Sequence, residues 1–289
     1  MTVTLSLFQV TGSHTVGILI GMLSPLVYTR KGSGDPLVLI HGIGHRRQAW
    51  DPVIDRLAQS YDVIAVDLAG FGESPAYPAG VPYSMDNAAA DLSANFAAWG
   101  IEKPHVVGNS LGGAIALELG ARGLARSVTA LSPAGFFRGS DRFGALLLLL
   151  TLRLTAVLTP LPALRAVSRS RVGRRLTGFL LYDHPERFSA DEVLGDALAL
   201  RNARAFGPTI KAGTSYAFTG DTPVPTTIAW GTRDRILFYA QSGVAQERLP
   251  GAHHVALPGC GHVPMIDDPA LVVRVVEQTA AAYPHGAVR

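Results

Sequence analysis

The chain is poor in cysteine and in charge. Its one cysteine, Cys260, excludes an intrachain disulfide and a thiolate metal cluster. That scarcity suits a reducing compartment, so a cytoplasmic protein is the expectation. Charged residues make up only 16% of the 289 residues, against 48% hydrophobic ones, so a sizeable core can be buried. The two signs nearly cancel: 25 Lys and Arg against 22 Asp and Glu leave +3, which does not suggest a nucleic-acid binder. No metal-ligand spacing is visible, and no metal or organic cofactor is expected.

Residues 1–29 contain no Asp, Glu, Lys or Arg. A secretory leader wants a cationic start before its apolar stretch; here the first cation, Arg30, comes after it. The stretch 16–28 is interrupted by Gly21, Ser24 and Pro25, and is short for a membrane span. Val3, Leu5 and Leu7 alternate with Thr4 and Ser6 at strand period. Two core strands are therefore expected before Arg30, with a peripheral membrane anchor as the alternative.

What the chain does have is a series of short, continuous apolar runs: Leu37–Ile40, Val63–Val66, His105–Val107, Thr226–Trp230 and His254–Leu257. Runs apolar on both faces are what parallel strands covered by helices look like. Helical stretches lie between them, such as Trp50–Gln59, Met85–Trp99 and Leu111–Ala121. Alternation of this kind predicts βαβ units around a parallel sheet, with functional residues at the carboxyl ends of the strands.

One region breaks the rhythm. Residues 135–206 hold no convincing strand, and Ala145–Leu150 opens a helix apolar on nearly every side. Between Arg138 and Arg187 there are nine arginines against Asp141, Asp183 and Glu186, a balance of +6. The expected organisation is a core in two parts, 1–134 and 207–289, with 135–206 as a helical lid over a site. The alternative is a plain helical layer packed on the sheet.

Residues 106–114 read VVGNSLGGA. The pattern Gly108-Asn109-Ser110-Leu111-Gly112 is G-x-S-x-G, directly after an apolar run and directly before a helical one. A tight strand–turn–helix holds its serine in a strained backbone geometry that pushes the hydroxyl outward, and small neighbours make room for it. A serine hydroxyl is a poor nucleophile until a base takes its proton. His262, on the glycine-flanked loop PGCGHVP after the last run, is the candidate base; His253 and His254 fall within or before a strand. Asp234, just past the preceding run in WGTRD, is the candidate acid that orients it, whereas Asp221 precedes that run and belongs to the wrong end of the sheet. The order Ser110, Asp234, His262 distinguishes one serine-hydrolase architecture from the others. The amides of Leu111, at the helix start, and of Ile43, in the loop His41-Gly42-Ile43-Gly44, are the candidate oxyanion donors. His41 and His45 are candidates for substrate contact. Their alternatives are a loop-shaping role for His41 and a surface position for His45. Asp67 and Ser74 are expected to be structural, and Cys260 a small buried side chain.

Five segments together resemble the α/β-hydrolase fold superfamily: LVLIHGIG (37–44), the D-x-x-G-x-G-x-S stretch from Asp67 to Ser74, GNSLGG (108–113), WGTRD (230–234) and GHVPMIDDP (261–269). The resemblance implies a mostly parallel eight-stranded sheet flanked by helices, with the helical lid inserted after strand 6. It also sorts the chemistry. Haloalkane dehalogenases and epoxide hydrolases of this superfamily carry an aspartate where Ser110 stands, so acyl transfer is implied instead.

The leading expectation is a carboxylic-ester or thioester hydrolase acting on a small lipophilic substrate. A carbon–carbon bond hydrolase of ring-cleavage products is the first alternative, since GNS-x-GG resembles those enzymes. They commonly hold a tryptophan near the site, and none of Trp50, Trp99 and Trp230 falls in 135–206. A non-catalytic ligand-binding protein on the same fold is the second. The arginines and leucines of the insert suggest a carboxylate, a phosphate or an anionic bilayer as partner, so peripheral membrane contact through the insert or the N-terminal segment is also expected.

Overall fold

The computed structural model describes residues 22–283. Within them the strands are β1 (Tyr28–Lys31), β2 (Asp35–Ile40), β3 (Tyr61–Val66), β4 (His105–Asn109), β5 (Ser127–Leu131), β6 (Thr226–Gly231) and β7 (His253–Leu257). They form one sheet in the spatial order β1-β3-β2-β4-β5-β6-β7, with β1 antiparallel to β3 and every other pairing parallel. The helices that cover the sheet are α1 (Asp51–Leu57), α2 (Met85–Ala98) and α3 (Leu111–Ala121), each within a residue or two of its sequence expectation. Five helices then follow between β5 and β6: α4 (Asp141–Leu158), α5 (Leu161–Arg169), α6 (Arg171–Gly178), α7 (Ala190–Asn202) and α8 (Phe206–Gly213). The chain closes with α9 (Gln241–Arg248), α10 (Pro264–Asp267) and α11 (Pro269–Ala281).

The sheet has seven strands among the described residues rather than the expected eight, and the helical insert follows the fifth of them rather than the sixth. The strand expected at residues 3–7 lies outside the described residues. The second expected strand, within 16–28, falls in good part outside the described residues; of the described part, residues 22–27 are loop and β1 begins at Tyr28. The reason is local. Leu23 N and Ser24 N donate to Asp91 Oδ1 at 2.8 and 2.9 Å, and Leu26 N donates to Asn95 Oδ1 at 3.0 Å. Side chains of α2 thus satisfy the donors that a strand partner would otherwise take.

Period-two geometry divides each central strand between two cores. Val38 and Ile40 of β2, with Ile64 and Val66 of β3, pack on the face that holds Leu92 and Phe96 of α2 and Ile115 and Leu119 of α3. Leu37, Leu39, Val63 and Ala65 pack on the other, with Val53 and Leu57 of α1 and Val272 and Val276 of α11. Strands β4, β5 and β6 are buried at every residue. Their carboxyl ends, at Asn109, Leu131 and Gly231, open onto the side where the insert lies.

Candidate active site

Ser110 sits between β4 and α3 with φ 56° and ψ −113°, a left-handed conformation that a residue with a Cβ rarely adopts. The turn leaves no space for larger neighbours. A Cβ on Gly108 would lie 2.0 Å from Gly112 O, and one on Gly112 would lie 2.1 Å from Ile40 O. Ser110 N donates to Leu131 O at 3.0 Å, which fixes the turn against β5. The strain is thus held in place by packed backbone on both sides, the condition under which such geometry persists at functional sites.

His262 and Asp234 meet as the sequence pattern suggests: His262 Nδ1 and Asp234 Oδ2 are 2.8 Å apart, and both residues are buried. The other carboxylate oxygen of Asp234 accepts from Ile236 N at 2.9 Å and Leu237 N at 2.8 Å, so its orientation is set by backbone. Ser110 Oγ makes no hydrogen bond to His262 among the described residues; the two residues instead line one cavity. Ile43 and Leu111 line the larger cavity beside Ser110, and neither amide donates to a backbone carbonyl in the turns and loops among the described residues.

Two residues that sequence reasoning passed over hold this arrangement together. Asn109 Nδ2 donates to His262 O at 2.8 Å and to Leu131 O at 3.1 Å, tying the histidine loop to the strand that carries the serine. Buried Asp267 accepts from Gly261 N at 2.7 Å, Asp183 N at 3.0 Å and His184 N at 2.9 Å, tying the same loop to the insert. A signal existed for both. Asn109 is a polar residue at the end of an apolar strand, and Asp267, with Asp268, interrupts an apolar stretch.

The structure separates the two histidines beside Ile43. His41 is fully buried and lines neither cavity next to Ser110. Leu68 N donates to its Nε2 at 3.0 Å, which leaves Nδ1 to donate to Gly42 O at 2.7 Å. Burial lowers its pKa to about 4, against the opposing pull of Asp67. With both nitrogens committed to backbone it has no face for a substrate, and the expectation of contact there is corrected in favour of loop shaping. His45 is not on the surface; it is buried and lines the smaller cavity. Its Nε2 lies 3.3 Å from Tyr182 Oη, which reaches Asp196 Oδ2 at 3.5 Å, while Arg46 Nε donates to Asp196 Oδ1 at 3.0 Å. This cluster joins the loop after β2 to the insert, and Tyr182 and Asp196 had no recognisable sequence signal.

The expected structural residues are structural. Asp67 receives Arg47 N at 2.6 Å, the Arg47 guanidinium, and Glu73 N at 3.0 Å. Ser74 Oγ donates to Asp67 O at 2.7 Å and accepts from Val27 N at 2.8 Å. Cys260 is buried, and burial with Asp267, Asp268 and Asp183 nearby pushes its thiol up to about 12, far from thiolate chemistry at neutral pH.

Two cavities meet at Ser110. The larger, about 580 Å³, runs past Leu68, Phe71, Ile115, Phe137, Leu146 and Ile210. The smaller, about 360 Å³, contains His262 and lies under the inner faces of α4, α5 and α6. Both are walled mainly by aliphatic side chains, as small-molecule sites generally are. An α/β sheet with a strained serine and a carboxylate-paired histidine at its carboxyl edge, opening into apolar cavities, defines the class of protein.

The comparisons specify it further. The alpha/beta hydrolase family matches residues 37–275, and the chain belongs to that family. An uncharacterized protein of Mycobacterium tuberculosis is 31% identical over 272 residues, covering 86% of this chain and 75% of that one. A pimeloyl-[acyl-carrier protein] methyl ester esterase of Aeromonas hydrophila is 28% identical over 268 residues, 86% of this chain and 96% of that protein. Among solved structures, the esterase RhEst1 from a Rhodococcus species superposes with a TM-score of 0.71 at 26% identity, covering 90% of this chain and 96% of that one. These similarities support hydrolase activity.

Proposed function

We propose that the chain is a serine hydrolase that cleaves the carboxylic ester or thioester of a lipophilic substrate through an acyl-enzyme. The observation that carries the reading is the 2.8 Å bond between His262 and buried Asp234, in a site where His262 shares a cavity with strained Ser110. In this reading Ser110 Oγ attacks the carbonyl carbon while His262 Nε2 takes its proton. The carbonyl oxygen becomes an oxyanion, held by the Ile43 and Leu111 amides at the positive end of α3. Asp234 keeps Nδ1 protonated and stabilises the imidazolium. His262 then gives the proton to the leaving alkoxide or thiolate, and the carbon–oxygen or carbon–sulfur bond breaks. Water, activated by the same histidine, attacks the acyl-enzyme and releases the acid and free Ser110.

The aliphatic walls on both sides of Ser110 favour an apolar substrate, and the similarity to esterases favours an ester. Residues 135–206 act as the lid, since α4, α5 and α6 roof the smaller cavity. Carbon–carbon bond cleavage is less well supported, because no tryptophan lines either cavity. The test is hydrolysis of p-nitrophenyl esters of rising acyl length, beside a dienol-ketone ring-cleavage product. Turnover should rise from acetate toward medium chains and disappear in Ser110→Ala. Turnover of the dienol ketone alone would replace the ester reading. Absence of turnover on every substrate, with tight ligand binding, would favour a non-catalytic protein.

A further inference from the structure

Helices α4 to α6 leave their outer side uncovered in an unusual way. On α4, Phe143, Leu147, Leu150, Leu154 and Leu158 recur at helical spacing along one stripe, and all are exposed, Phe143 by 72% and Leu158 by 69%. Leu176 of α6 is exposed by 76%, with Val172 and Phe179 beside it in sequence and also exposed. Residues 142–182 contain seven arginines and no acidic residue at all. Three of them, Arg165, Arg169 and Arg171, are exposed and make no side-chain hydrogen bond or ion pair among the described residues. An ordinary soluble surface intersperses both signs and avoids a contiguous apolar stripe.

We infer that this face docks the protein onto the surface of an anionic phospholipid bilayer. Leucines and a phenylalanine would enter the acyl boundary while the arginines meet lipid phosphates, the division that interfacial amphipathic helices use. The shape fits lying on a membrane rather than crossing one. No single helix among the described residues is long and apolar enough to span; α4 and α5 together have the length and composition, but they meet at a bend of 111°, which suits a surface better than a straight crossing. A second copy of the chain is a poor occupant, because a symmetric contact would bring the unpaired arginines of both copies together without a counter-charge.

The docking face is also connected to the site. Leu176 lies both on it and on the wall of the smaller cavity, together with exposed Thr151, Thr155 and Thr177. Thr151 and Thr155 flank the α4 stripe. Exposed residues of α4 and α6 therefore border the cavity that holds Ser110 and His262, which gives a lipophilic substrate a path from the proposed bilayer to Ser110 without crossing bulk water. That last step rests on the hydrolase reading; the docking itself does not.

The experiment is co-sedimentation of the full chain with vesicles of phosphatidylglycerol and phosphatidylcholine, and with vesicles of phosphatidylcholine alone, at low and high salt. Binding should favour the anionic vesicles and weaken as salt rises. The pair Arg169→Gln and Arg171→Gln should lower anionic-vesicle affinity by roughly 25-fold, at roughly fivefold per arginine. Leu154→Ser with Leu158→Ser should lower binding to both vesicle types. Residues 1–29 are themselves free of charged side chains, so these variants, rather than binding alone, assign the surface. None of the four residues lines a cavity, so turnover of water-soluble p-nitrophenyl acetate should not change, and that activity also reports folding of each variant. Ser110→Ala should bind vesicles as the parent chain does, whatever becomes of the hydrolase reading. Equal binding to neutral and anionic vesicles, affinity unmoved by the arginine pair, or a dimer in sedimentation velocity that Leu154→Ser abolishes, would each overturn the proposal.

Discussion

The sheet and the insert are made of similar residues and use them in opposite ways. Strands β4, β5 and β6 have no exposed or half-exposed position, and even their polar residues are buried. Helix α4, with a run of five leucines, buries only Ala145 and Ala156 fully and shows a row of leucines to the outside. A strand in a parallel sheet is covered on both faces by helices, so nearly every side chain finds a neighbour. A helix laid over a cavity has packed protein on one side at most. The contrast teaches where precision resides: the core sets the positions of Ser110, Asp234 and His262, and the insert walls the cavity beside them.

The largest effects should come from the site the core holds. Ser110→Ala and His262→Ala should each lower kcat by about three to six orders of magnitude on a chromogenic ester, with the double variant little worse, because the two act as a unit. Their thermal midpoints should stay near that of the parent. Additive losses would break the shared mechanism. Next in size is the turn itself: Gly112→Ala places a Cβ 2.1 Å from Ile40 O, so we expect destabilisation above about 4 kcal/mol, read by urea unfolding or by loss of soluble protein.

The same residue type should then separate the two regions. Leu39→Ala, at a fully buried position of β2, should cost about 2–5 kcal/mol in urea unfolding. Leu147→Ala on the exposed stripe should stay within about 0.5 kcal/mol. A large loss at Leu147 would mean that the outer face of α4 is already packed against something in solution.

His41 supplies a pH signature of the core. Its folded pKa is lowered to about 4 from an ordinary 6.5, so between those values the unfolded chain binds a proton that the folded chain does not. Stability from this group is present above about pH 6.5 and is lost as pH falls toward 4, by on the order of 3 kcal/mol. Chemical denaturation between pH 7 and pH 4.5 measures it, and His41→Asn should flatten the slope over that window. A small gain is expected in the insert: Gly144, within α4, has nothing near its missing Cβ, and Gly144→Ala should stabilise by about 0.5–1 kcal/mol. A loss there would show that α4 needs the freedom of a glycine.

The sequence by itself determined most of the alternating architecture, because β2, β3, β4, β6 and β7 coincide with short apolar runs; β5, with Ser127 and Thr129 among its five residues, is not such a run and was not legible. It also singled out the side chains of the candidate site. Ser110 needs Gly108 and Gly112, and Asp234 and His262 each follow a strand directly, so chain connectivity alone delivers them to one edge of the sheet. Helix α3 was legible to its last residue, since the G-x-S-x-G turn marks its start and the apolar run marks its length. Only the tertiary structure decided how those residues are held. Asn109 and Asp267 do so through backbone carbonyls and amides of loops distant in sequence, a kind of contact that leaves no periodic trace. The same is true of residues 22–27, where Asp91 and Asn95, more than sixty positions away, claim backbone amides. His41 and His45 stand four residues apart in one loop, yet one is sealed under it and the other faces a cavity with Tyr182. Local composition cannot separate them, because burial and partners are set by what the fold brings from elsewhere.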